Sequence, residues 1–131
     1  MNPYFEKKRI LIIDDEAGFA EMVKLNLEAT GQYLVRTENV GGRAVDVALE
    51  YQPDLILLDI VMPETDGTDI CWRLKEEEQL QKVPIVFLTA TIRKNEVEAQ
   101  HGAIAGHAFL AKPATMEELT ACIEEQLHSP S

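Results

Sequence analysis

The sequence is short of basic residues. It has 12 lysines and arginines against 23 aspartates and glutamates among 131 residues, which gives a formal net charge of -11. A surface with this excess of negative charge repels the phosphates of nucleic acids and of anionic lipids. The composition therefore argues against direct binding to DNA, RNA or a membrane surface.

Cysteines and long apolar segments are also scarce. Cys71 and Cys122 form neither a disulfide framework nor the spacing of a metal site, so we expect two buried, reduced thiols. The apolar runs have the length of strands, and residues 1–9 lack the apolar core of a signal peptide. We therefore expect a cytoplasmic protein, and 131 residues suit a single domain.

What the sequence does contain is a series of short, continuous apolar runs. Such runs are typical of strands that are buried on both faces of a parallel sheet. The segments that we predict as strands are Ile10–Ile13, Tyr33–Thr37, Leu55–Leu58, Pro84–Thr89 and Ala108–Leu110. A loop marked by Pro63 and Gly67 is expected after the third of them.

Helices are predicted between these strands and after the last one, where apolar residues recur every three or four positions. The predicted segments are Ala17–Thr30, Arg43–Tyr51, the stretch after Gly67, Asn95–His101 and the stretch after Thr115. We expect Gly31 to end the first helix and Asn39 to cap the second, while Thr115 and Glu118 form a capping box. The alternation predicts an α/β fold with a doubly wound parallel sheet and helices on both faces.

Polar or charged residues stand at the carboxyl ends of four predicted strands. They are Asp14 and Asp15 after the first strand, Asp59 after the third, Thr89 at the end of the fourth and Lys112 after the last. Because the carboxyl ends of parallel strands meet at one edge of the sheet, we expect these side chains to lie together. Three converging carboxylates repel one another unless a hard cation such as Mg²⁺ compensates their charge. Such a site suits phosphoryl transfer to a carboxylate.

In this order the motifs resemble the receiver domain of bacterial two-component response regulators. The resemblance lies in Asp14-Asp15, in Asp59 within Asp-Ile-Val-Met-Pro-Glu-Thr-Asp-Gly, in Thr89-Ala90 and in Phe109-Leu110-Ala111-Lys112-Pro113. It covers residues 9–127, which leaves residues 1–8 as an N-terminal lead and residues 128–131 as a tail or the start of a linker. The resemblance implies a flavodoxin-like, five-stranded sheet with the strand order 2-1-3-4-5.

The resemblance also implies how the acidic residues act. Asp59 matches the phospho-acceptor of the family, and Asp15 and Asp59 match its direct Mg²⁺ ligands. Asp14 matches a carboxylate that acts on the ion mainly through water. The backbone carbonyl of Val61 matches the third protein ligand.

Further residues match the parts of the family that respond to phosphorylation. Thr89 matches the switch hydroxyl, Phe109 matches the aromatic switch residue, and Lys112 matches the lysine that contacts the phosphoryl group. Val61 and Thr91 occupy the two positions that tune loss of the phosphoryl group. Because neither side chain is acidic or amide-bearing, we expect slow self-dephosphorylation.

Two functional classes stay open. In the first, a sensor histidine kinase or phosphotransfer protein phosphorylates Asp59, and an unknown downstream protein or fused effector domain responds. The domain is then a regulatory phospho-acceptor and not an enzyme, and a phosphorylated dimer through the last strand and the two helices beside it is expected. In the second, the domain is a phosphorylation-independent interaction module. An Mg²⁺-dependent phosphohydrolase is disfavoured because Val61 stands where a general acid is needed.

Overall fold

The computed structural model describes residues 7–62, 65–89, 108–111 and 115–128. Its strands are β1 (Lys8–Ile13), β2 (Tyr33–Glu38), β3 (Leu55–Asp59), β4 (Val61–Met62), β5 (Thr65–Asp66), β6 (Ile85–Thr89) and β7 (Ala108–Ala111). Its α-helices are α1 (Ala17–Ala29), α2 (Ala44–Tyr51), α3 (Gly67–Glu76) and α4 (Met116–His128). Short 3-10 turns cover Gly41–Arg43 and Glu78–Leu80.

The main sheet is parallel, and its strands lie in the order β2-β1-β3-β6-β7. Strand β1 lies between two neighbours, since Ile13 pairs with Glu38 of β2 on one side and with Leu58 of β3 on the other. Strand β3 also pairs with β6, and β6 pairs with β7. The carboxyl ends of all these strands therefore lie at one edge of the sheet, which is the edge where α/β proteins bind ligands.

Helices cover both faces of this sheet. Successive side chains of a strand point to opposite faces, so Ile10 and Ile12 pack in a core with α1 and α4. Leu11 and Ile13 pack in a second core with α2 and α3. All four side chains are fully buried. Burial on both faces explains why the strand sequences are continuously apolar, and it confirms the predicted doubly wound α/β fold.

Two of the predicted helix ends are confirmed. Gly31 follows α1 with a φ of 80°, the left-handed conformation that glycine adopts without strain. Before α4, the backbone N–H of Glu118 donates to Thr115 Oγ1, and the backbone N–H of Thr115 donates to Glu118 Oε1, both at 3.0 Å. These reciprocal bonds form the expected capping box.

The predicted N-cap of α2 is wrong. The 3-10 turn Gly41–Arg43 separates Asn39 from the helix, which begins at Ala44 without a side-chain cap. At this separation the Asn39 side chain does not serve the first turn of the helix. Its Nδ2 atom donates instead to the backbone oxygen of Asp14 at 2.8 Å.

A short hairpin stands where only a loop was predicted after β3. Strands β4 and β5 are antiparallel, with Val61 opposite Asp66 and Met62 opposite Thr65. Strands of two residues carry no periodic pattern, so they are not predictable from the sequence. The predicted helix Asn95–His101 lies outside the described residues. Within the described ranges, no helix has both the length and the apolar character needed to cross a membrane.

Candidate metal centre

Three carboxylates gather at the carboxyl edge of the main sheet. Asp14 and Asp15 directly follow β1, and Asp59 is the last residue of β3. Because β1 and β3 are neighbours, one carboxylate oxygen from each residue lies within 4.8 Å of the other two. Asp14 is 0% exposed and Asp59 is 3% exposed, whereas Asp15 is more accessible. The structure thus brings together the three acids that the strand-end pattern placed at this edge.

The chemistry of the cluster fits a hard divalent cation. All three donors are carboxylate oxygens, and Mg²⁺ binds proteins through one or two carboxylates while it keeps several waters. Two of the carboxylates are buried. Buried charges of one sign repel each other and have lost the favourable energy of hydration, and a bound cation offsets both costs. The residues present therefore fit Mg²⁺, and the more accessible Asp15 keeps the cluster open to solvent.

Asp14 is held by hydrogen bonds to the end of β2 and to the residues that follow it in the chain. Its backbone N–H donates to the carbonyl oxygen of Glu38 at 3.0 Å, and its own carbonyl oxygen accepts the bond from Asn39. Its carboxylate oxygen Oδ1 accepts a bond from the backbone N–H of Glu16 at 2.9 Å. The buried acid is consequently fixed through its amide, its carbonyl and its side chain.

Asp59 is held by the close approach of α3 to the end of β3. The backbone N–H of Ile60 donates to the carbonyl oxygen of Leu88 in β6 at 2.9 Å, and the carbonyl oxygen of Ile60 accepts from Gly67 at 2.9 Å. A Cβ atom at Gly67 would stand 2.5 Å from the carbonyl oxygen of Asp59. Only glycine fits there without a shift of the backbone that carries Asp59.

The other predicted site residues are placed by the backbone alone or lie outside the described residues. Thr89 is the last residue of β6 and pairs with Ala111, the last residue of β7. Phe109 lies within β7, opposite Phe87, and Val61 opens the hairpin that follows Asp59. Lys112 and Thr91 lie outside the described residues. The roles of all these residues therefore stay predictions.

Two residues that hold the acidic cluster, Asn39 and Gly67, carry little sign of that role in the sequence. The position of Asn39 before a helix predicts a cap, and no sequence pattern pairs it with an acid 25 positions earlier in the chain. Gly67 predicts a loop, and a glycine shortly after a strand-end acid is the one available signal of a close backbone approach.

Comparisons with known proteins agree with this arrangement. The family model of the response regulator receiver domain matches residues 10–124. DivK, a polar-differentiation response regulator of Brucella anthropi, is 32% identical over 122 residues, which cover 92% of this chain and 96% of DivK. The chain is thus similar to DivK over nearly the whole length of both.

A second relative is a longer protein. RpaA, a DNA-binding dual master transcriptional regulator of Synechocystis sp., is 35% identical over 119 residues, which cover 91% of this chain and 48% of RpaA. The chain therefore spans about half the length of this relative. Among solved structures, the signal receiver domain of a signal transduction histidine kinase from Syntrophus aciditrophicus has a TM-score of 0.80 at 31% identity, with 95% of each chain covered.

Proposed function

Since this chain belongs to the response regulator receiver domain family, we propose that it is a phosphorylation-controlled signalling switch. Receiver domains are regulatory phospho-acceptor domains of two-component systems, and phosphorylation-dependent signalling is general in the family. In this chain Asp59 accepts the phosphoryl group from a sensor histidine kinase or a phosphotransfer protein. The reaction depends on Mg²⁺, and the output is binding instead of turnover.

The observation that carries the proposal is the cluster of Asp14, Asp15 and Asp59. Their oxygens lie within 4.8 Å of one another at the ligand-binding edge of the sheet. Asp15 and Asp59 would hold Mg²⁺ directly, together with the backbone carbonyl of Val61, and Asp14 would act on it through water. When bound, Mg²⁺ supplies positive charge that offsets the negative charge of the transferring phosphoryl group.

The proposed reaction leaves the phosphoryl group on a carboxylate. A carboxylate oxygen of Asp59 forms a bond to phosphorus while the phosphorus–nitrogen bond of a phosphohistidine breaks. The histidine nitrogen leaves with the electron pair of that bond and takes a proton from solvent. Asp59 becomes an acyl phosphate, so a dianionic group replaces a single negative charge beside Asp14 and Asp15.

The structural response is proposed to pass through the ends of β6 and β7. The hydroxyl group of Thr89 donates a hydrogen bond to the new anion, and Lys112 pairs with a phosphoryl oxygen. Phe109 then fills the space that Thr89 vacates. The backbone supports this proposal because Thr89 and Ala111 are paired strand-end residues at the same edge as Asp59. Slow self-dephosphorylation, argued from Val61 and Thr91, belongs to the same proposal.

Membership of the family indicates the classes of protein with which the domain interacts. Receiver domains interact with histidine kinases, with phosphotransfer proteins and with effector domains. We propose a histidine kinase or a phosphotransfer protein as the phosphodonor. Because the kinase takes its phosphoryl group from ATP, we propose that the domain acts in the cytoplasm. The downstream side is a separate protein or a fused effector, and dimerisation of the phosphorylated form through β7 and its neighbouring helices is part of the proposal.

Phosphodonor labelling tests the function directly. With acetyl phosphate and Mg²⁺, intact-mass spectrometry should show one phosphoryl group on the wild type and none when EDTA replaces Mg²⁺. Asp59→Asn should abolish labelling because an amide does not form the acyl phosphate.

Asp69→Asn is the matched control for this experiment. Asp69 is an exposed carboxylate of α3 that pairs with Arg73 at 3.2 Å, so its loss should leave labelling unchanged. Labelling that survives in Asp59→Asn would refute the assignment of the acceptor. A wild-type protein that binds no Mg²⁺ and takes up no phosphoryl group would favour the phosphorylation-independent interaction module.

A further inference from the structure

The side chain of Asn39 ties the end of β2 to the acidic cluster. Its Nδ2 atom donates to the backbone oxygen of Asp14 at 2.8 Å, across 25 positions of sequence. We propose that Asn39 is a positioning residue of the metal centre, because it orients the peptide group that joins Asp14 to Asp15. This inference rests on the proposed function, since it assigns a residue that prepares the same site for Mg²⁺.

The geometry of the peptide bond makes this one hydrogen bond consequential. The carbonyl of Asp14 and the N–H of Asp15 belong to one planar unit. A change in ψ of Asp14 that φ of Asp15 does not cancel turns one residue relative to the other, and so changes the relative direction of their side chains. A bond to this carbonyl restrains ψ of Asp14, and with it the relative direction of two carboxylates whose oxygens lie within 4.8 Å of each other.

Two other bonds of Asp14 act on different groups. The carbonyl oxygen of Glu38 accepts from the N–H of Asp14, which orients the preceding peptide unit. The backbone N–H of Glu16 orients the Asp14 carboxylate. The Asn39 side chain engages the peptide between the two acids. Its loss removes a restraint that these two bonds do not replace.

Local structure does not account for the presence of an asparagine at this position. The 3-10 turn Gly41–Arg43 keeps the Asn39 side chain away from the first turn of α2. Position 39 lies on the surface, where many polar residues would be accepted, but a carbonyl partner requires a donor. The amide of asparagine provides that donor without adding a charge to an acidic site.

The test compares Asn39→Ala with Asn26→Ala. Asn26 is a matched control because its Nδ2 atom also donates to a backbone oxygen, that of Met22 in α1, at 2.9 Å on an exposed surface. Isothermal titration calorimetry gives the Kd for Mg²⁺ of each folded protein. Thermal unfolding in EDTA shows whether each variant folds as the wild type does.

Residues that orient metal ligands usually change metal affinity by about tenfold or more when they are lost. We expect roughly tenfold weaker Mg²⁺ binding for Asn39→Ala and less than a twofold change for Asn26→Ala. In acetyl phosphate labelling, the half-saturating Mg²⁺ concentration should rise by the same factor. The rate at saturating Mg²⁺ should stay within about twofold, because Asn39 does not touch the reacting atoms.

Nuclear magnetic resonance of the metal-free protein provides a readout that does not depend on Mg²⁺. The backbone amide resonance of Asp15 should move in Asn39→Ala and stay in place in Asn26→Ala. Equal Mg²⁺ affinities for Asn39→Ala and wild type would overturn this inference while leaving the proposed function intact. A wild type that neither binds Mg²⁺ nor is labelled would overturn both.

Discussion

Gly67 lies against the backbone that carries Asp59, so closely that a Cβ atom at position 67 would stand 2.5 Å from the carbonyl oxygen of Asp59. The same Cβ would stand 2.6 Å from Cα of Ile60. Helix α3 therefore begins in backbone contact with the end of β3. The position of the proposed phospho-acceptor depends on the absence of a side chain eight residues further along the chain.

Substitution of this glycine should disturb both stability and the site. We expect Gly67→Ala to lower the free energy of unfolding by about 1–3 kcal/mol, as overpacking of a core does. It should also weaken Mg²⁺ binding, because the backbone of Asp59 has to move. Urea denaturation and calorimetric titration measure the two effects.

Gly18→Ala is the control for that change. Gly18 lies in α1, and a Cβ atom there would meet nothing within 4 Å. Alanine should therefore leave stability unchanged or raise it by up to about 1 kcal/mol through helix propensity. A Gly67→Ala variant as stable as Gly18→Ala would contradict the close-approach argument.

The effect of Asp15→Asn on stability should change sign when Mg²⁺ is added. In EDTA the variant should melt at a higher temperature than the wild type, because it removes one of three clustered negative charges. At a Mg²⁺ concentration of 100 times Kd the wild type gains about 2.7 kcal/mol of stability, and the variant gains less. Circular dichroism melting curves in both conditions measure the difference.

Asp69→Asn is also the control for this prediction, because it removes a surface carboxylate outside the acidic cluster. Its carboxylate is exposed and lies on α3, so the melting temperature of this variant should differ from that of the wild type by the same small amount with and without Mg²⁺. Equal gains from Mg²⁺ in Asp15→Asn and in the wild type would show that Asp15 does not contribute to binding.

The capping box of α4 should contribute measurably to stability. Thr115→Ala removes the acceptor of the Glu118 N–H, and loss of such a cap costs about 1 kcal/mol. Thr120→Ala is the comparison within the same helix, where the hydroxyl only donates to the carbonyl oxygen of Met116. Urea denaturation should show a loss for Thr115→Ala and little change for Thr120→Ala. The opposite order would be inconsistent with a working cap.

The two thiols should differ in reactivity. Burial raises the pKa of both Cys71 and Cys122 above the ordinary value, so the reactive thiolate is scarce at neutral pH. Cys71 is 4% exposed, whereas Cys122 is half-buried. Ellman's reagent at pH 8 should therefore modify Cys122 first, and Cys71 only as the fold opens. Faster loss of the Cys71 thiol, identified by peptide mass mapping, would contradict the described packing.

The raised pKa of Cys71 also predicts how stability depends on pH. A thiol whose pKa is higher in the folded state than the ordinary 9.0 stabilises the fold fully below pH 9.0. That contribution is lost as the pH rises through the folded pKa, because the unfolded thiol ionises first. The free energy of unfolding should therefore fall as the pH rises above 9.0, and less steeply in Cys71→Ala. An identical slope in the two proteins would rule out this contribution.

The amino-acid sequence by itself determined the fold class and the location of the acidic cluster. Continuous apolar runs such as Ile10–Ile13 fit burial on both sheet faces, and this burial is a property of each short segment. In a parallel sheet the strand ends share one edge, so Asp14, Asp15 and Asp59 were expected to meet there. The capping box at Thr115 was predictable for the same reason, since its partners lie within one helical turn.

Only the tertiary structure decided how the cluster is held. Asn39 had a plausible local role as a helix cap, but the 3-10 turn removes it from α2, and the packing of β2 beside β1 turns its amide toward Asp14. Gly67 lies beside Asp59 because α3 folds back onto the end of β3. Sequence periodicity reports which face of an element is buried. Contacts between residues at unrelated positions depend on which elements are neighbours, and the assembled sheet determines that.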